Sequence, residues 1–74
     1  MELSPSMVTQ YTKLAKRHNA FVVIVKHQFT APAMMGGKLP ATLADAQAAA
    51  DKMLANASFT DAWVIMPNGK VDAR

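Results

Sequence analysis

The spacing of hydrophobic positions changes along this chain, and each change marks a new element. Near the start, Met7, Val8, Tyr11, Leu14 and Ala15 recur every three or four residues, which gathers them into one stripe of a helix. Ser4 is placed to cap that helix, and Pro5 suits its first position, where a missing N–H costs nothing. Asn19 tolerates the left-handed backbone of a helix exit, so the predicted helix covers about residues 5–18. The period then drops to two. The run FVVIVKHQF, at about 21–29, is β-branched and aromatic and predicts a strand. Its odd positions (Phe21, Val23, Val25, His27, Phe29) form the better core face. Val22 and Ile24 make the even face apolar as well, and a strand apolar on both faces is usually central and covered on both sides.

A helical period returns at Thr42. This residue and Asp45 resemble a capping box with a shorter acid, and the segment that follows is rich in helix formers. Leu43, Ala46, Ala50, Met53, Leu54 and Ala57 share one narrow face, predicting a helix over about residues 43–56. AWVIM at about 62–66 reads as a second strand, the Pro67-Asn68-Gly69 turn follows, and a short strand at about 70–72 closes a hairpin.

The order is α-β-α-β-β in a single small domain, residues 1–74. A long loop plus a helix between strands one and two can act as a crossover joining parallel neighbours. The expected fold is therefore α+β: an α/β two-layer sandwich with a mixed three-stranded sheet and both helices on one face. A further strand from residues 30–37, giving four, is the alternative. With both helices on one side, the other face of the sheet keeps Val22 and Ile24 and more apolar surface than a solvated face usually carries. Three things can cover it: loop 30–41, a second copy of the chain, or a foreign partner.

Composition narrows the function classes. A 74-residue chain has room for one small core. Cysteine is absent, so disulfides and thiolate metal sites are excluded, which suits a reducing compartment. The start MELSPS has no basic stretch leading into an apolar one, and the longest apolar run, residues 20–25, is far short of a membrane span. The expectation is a cytoplasmic protein with no membrane partner. Net charge is +3, a mild bias towards acidic partners.

No catalytic constellation can be assembled. Ser4, Ser6 and Ser58 fall at helix ends or in linking segments, where capping explains them. His18 fits the negative end of the first helix dipole, and His27 reads as a hydrogen-bonded residue at the edge of the core. Two histidines on different elements make a poor zinc set, and Asp45, Asp51, Asp61 and Asp72 are scattered. Gly36, Gly37 and Lys38 do not form a phosphate loop, because Leu39, Pro40 and Ala41 intervene before the helix cap. The chain is thus expected to be no enzyme, with no cofactor and no metal.

What remains is a surface. Lys13, Lys16 and Arg17 cluster on the first helix, and Lys26 extends that patch if strand one lies alongside. Met34 and Met35 are adaptable apolar side chains suited to an irregular core edge or a forgiving contact surface. In layout the chain resembles the short single-domain regulators and inhibitors, many of them viral, that work by docking on a larger protein. That likeness implies a small non-enzymatic protein-binding module that uses Lys13, Lys16, Arg17, Lys26, Met34 and Met35 against an acidic-surfaced protein. A homodimer is a further possibility. The main alternative is nucleic-acid binding through the same basic helix, although stacking aromatics are scarce.

Overall fold

In a computed structural model that describes residues 2–74, both helices begin where a hydroxyl side chain caps them. Ser4 Oγ accepts the Met7 N–H at 3.3 Å and opens α1 (Pro5–His18). Thr42 Oγ1 accepts the Asp45 N–H at 3.1 Å and opens α2 (Leu43–Leu54). Asn19 ends α1 in the left-handed conformation, at φ 47° and ψ 51°, with its N–H turned back to Ala15 and Lys16 carbonyls. Four strands complete the α+β fold: β1 (Val22–His27), β2 (Ala33–Met34), β3 (Phe59–Ile65) and β4 (Val71–Ala73).

The sheet runs β2-β1-β3-β4 with every neighbouring pair antiparallel. It therefore has four strands, as in the alternative from residues 30–37, and is not the expected mixed three-stranded sheet. The reason is a second traverse hidden in the loop. After β1 the chain turns back as β2 along the sheet edge. It then returns to the start of β1, where Met35 N–H donates to Val23 O and Phe21 N–H to Pro40 O, each at 2.9 Å. The helix α2 climbs the length of the sheet again, and Gln28 N–H meets Ser58 O at 2.8 Å beside the end of β1. Two traverses between β1 and β3 make these strands antiparallel, whereas α2 alone would have made them parallel.

The helices lie on opposite faces, which corrects the expectation that both share one. Val23, Val25, Ala62 and Val64 pack with Ala46 and Ala50 of α2. Val22, Ile24, Trp63 and Ile65 pack with Ala15 of α1, flanked by Met7, Tyr11 and Leu14. Alternation along β3 thus gives each helix one side of the strand, with Trp63 facing α1. Ile24, Ile65, Val22 and Val64 are wholly buried. Each such side chain favours burial over exposure by about 1.5–3 kcal/mol, so a sheet apolar on both sides is driven to acquire two covers. Among the described residues no apolar sheet face is left over.

Other boundaries shift locally. The predicted strand to residue 29 stops at His27, where a register irregularity follows Lys26. Phe29, expected on the core face, lies in a turn and is 85% exposed. The second predicted strand starts earlier, at Phe59, and α2 ends at Leu54, leaving Ala57 exposed. In the final hairpin Gly69 N–H donates to Met66 O at 3.0 Å and Lys70 N–H to Asn68 Oδ1 at 3.0 Å. Gly69 takes the positive φ of this turn, at 89°. Among the described residues no helix is long and apolar enough to cross a membrane.

Candidate docking surface

With both faces of the sheet covered, a contact surface has to be sought on the outside of the helices and along the loop. The apolar stripe of α1 faces the sheet, and Lys13, Lys16, Arg17 and His18 are all exposed. The last three lie in the final turn, where the negative end of the helix dipole favours positive charge.

The two adjacent methionines part company. Met34 pairs with Ile24, so it emerges on the α1 side of the sheet edge, where it is 37% exposed. Met35 turns to the other side and packs against the α2-facing core. Leu39, four residues on, packs against the α1-facing core. Residues 35–39 therefore wrap the edge of the sheet and seal a side chain into each face. Met35 is part of the packing, and only Met34 is displayed with α1.

Met34, Leu14 and Leu39 form the apolar lining of a groove of about 450 Å³, with His18, Gly37 and Lys38 completing it. A second groove of about 330 Å³ adjoins it across Leu14 and is lined by Gln10, Tyr11, Lys13 and Arg17. Lys26 is not part of this region. It lies at the far end of β1 from the α1 junction, in register with Asp61, and its Nζ donates to His27 O at 3.3 Å. Lys38 takes its place.

The sequence carried a signal for this arrangement that residue spacing did not expose. Between residues 3 and 44 the chain has Lys13, Lys16, Arg17, Lys26 and Lys38 and no carboxylate at all. Apart from Glu2, the acids Asp45, Asp51, Asp61 and Asp72 follow in α2, β3 and β4. Folding gathers Lys13, Lys16, Arg17 and Lys38 around the C-terminal end of α1, while Glu2 lines a groove at the other end of the helix and Asp61 shares the α1-facing register of β3 with Trp63. On the α2 side Arg74 grips Asp51 through Nε at 3.0 Å and Nη2 at 2.8 Å, and reaches Asp72 through Nη1 at 3.1 Å. Gln47 Nε2 donates to the same Asp72 oxygen at 2.8 Å. The hydrogen bonds from Arg74 hold the Asp51 carboxyl below its ordinary range.

The His27 ring and the Ser58 backbone make local contacts. His27 Nδ1 accepts the Phe29 N–H at 3.4 Å, and its ring meets Phe59 edge-on at 5.4 Å. Ser58 N–H donates to Asn56 Oδ1 at 2.9 Å. Among the described residues no three His, Asp or Glu side chains gather as a metal-binding group. Comparison of the chain with protein-family models, with curated proteins and with solved structures finds no match.

Proposed function

We propose that this chain is a small non-enzymatic module that binds another protein, docking on an acidic surface through the outer side of α1. The observation that carries the reading is the collection of Lys13, Lys16, Arg17 and Lys38 around the C-terminal end of α1, with no carboxylate between residues 3 and 44. Such a field steers an oppositely charged partner into register and speeds the encounter. Apolar contact then slows dissociation, and with no sheet face to spare that part falls to Met34 and its groove. A module of this kind regulates or inhibits its partner by occupying a surface.

The same cations suit phosphates, so nucleic acid is the rival ligand. An apolar groove set among the cations adds nothing to phosphate binding, which is why a protein surface is the better fit. The exposed ring of Phe29 lies at the opposite end of β1 from the α1 junction and offers no stacking platform beside these cations.

The test is affinity capture from native extract with the wild-type chain and with the Lys13→Glu, Lys16→Glu, Arg17→Glu triple variant. Charge reversal in the last turn of α1 opposes the helix dipole at a cost of roughly 0.3–1 kcal/mol per site, so circular dichroism of the variant accompanies the capture to check that it is folded. A protein retained by the wild type and lost with the variant supports the reading. If both retain the same proteins, while only the wild type holds to an oligonucleotide resin until high salt, the chain binds nucleic acid.

A further inference from the structure

We infer that the groove between α1 and the β2–α2 loop receives one apolar side chain from an extended acidic segment of the partner. This rests on the protein-binding reading and adds a recognition rule to it. The groove has a greasy floor of Leu14, Met34 and Leu39, with His18 and Lys38 beside it. Across Leu14 the surface continues to Lys13 and Arg17. A chain laid over both grooves therefore meets Lys13 and Arg17 on the helix, the apolar floor, and Lys38 on the loop. The complement of that order is acid, apolar, acid.

The wall on the loop side is low. A β-carbon at Gly36 or Gly37 would meet nothing within 4 Å, and Gly37, at φ 94°, holds a turn that other residues rarely adopt. This leaves the groove open for a strand of partner backbone to run past it. The groove at the other end of α1 makes a useful contrast. It measures about 300 Å³ and, among the described residues, is lined by Glu2, Leu3, Val8, Trp63, Val71 and Ala73, with a carboxylate where the Leu14 groove has Lys38. The cations beside Leu14 attract an acidic segment to that groove.

Fluorescence anisotropy can test this with a labelled acidic peptide that carries one central leucine, and with the same peptide carrying alanine there. Burying the extra leucine surface should tighten binding by roughly tenfold or more. Met34→Ser should abolish that leucine advantage. Lys38→Glu should weaken both peptides, and Lys52→Glu, on exposed α2, should weaken neither. Circular dichroism of each variant checks that it is folded.

Equal affinity for the two peptides, or a leucine advantage that survives Met34→Ser, overturns the groove inference. The broader α1 reading still stands in that case if Lys13→Glu, Lys16→Glu, Arg17→Glu removes the binding. If neither peptide binds the wild type and a thymidine oligonucleotide does, both readings fall to nucleic-acid binding.

Discussion

Thr12 sits on the inner side of α1, and its hydroxyl is buried with no hydrogen-bond partner among the described residues. A buried hydroxyl left without a partner costs about 1–3 kcal/mol, whereas an apolar group of the same shape costs nothing of that kind. Valine keeps both the branch and the volume. Thr12→Val should therefore raise stability by about 1 kcal/mol, which for a domain of this size shifts the unfolding midpoint up by about 4–8 °C. Thermal unfolding followed by circular dichroism measures it, and a lowered midpoint would mean that the hydroxyl is satisfied by water. Single side chains also set what the sequence could disclose. Ser4, Asn19 and Thr42 act on their immediate neighbours, so the helix ends they fix could be read directly. Phe29 could not be read, because its place outside the sheet follows from an irregularity at His27 that depends on β3.

Among the elements, β2 decided which of the sequence-based expectations held. Two residues cannot show an alternating pattern, so β2 is nearly invisible in the sequence, yet it reverses the chain and makes the whole sheet antiparallel. The apolar character of both faces of β1 was legible and pointed correctly to cover on both sides. The expected crossover topology overrode it and placed both helices together. At the other edge, β4 has only three residues, and Arg74 links it to α2 through Asp51 and Asp72. This clip has a definite pH dependence. Asp51 releases its proton at lower pH in the folded chain than in the unfolded one. The link thus contributes fully above the ordinary carboxylate value of about 4 and is lost as pH falls through the folded value. Asp51→Asn removes that titration. Urea unfolding of wild type and variant should show wild type the more stable near neutrality, with the gap closing in acid. A gap that widens as pH falls would show that the carboxylate does not work through Arg74.

For the whole molecule, the two-sided cover and the uneven charge belong together. Covering both faces uses nearly all the large apolar side chains, and among the described residues the exposed ones that remain are Phe29, Met34 and Val71. A contact surface on such a body has to rely on charge with a small apolar anchor, and the cations of α1 stand beside Met34. The basic helix could be read from the sequence. The contribution of Lys38 could not, since only the return of the loop brings it to His18. Nuclear magnetic resonance locates the contact most simply, by titrating the acidic leucine peptide into uniformly labelled protein and following every backbone amide. Shifts confined to residues 13–18 and 34–39, with residues 45–52 and 71–73 unmoved, are expected for docking on the α1 side. Shifts centred on α2 or β4 would place the binding surface on the other side of the molecule and end the case for α1.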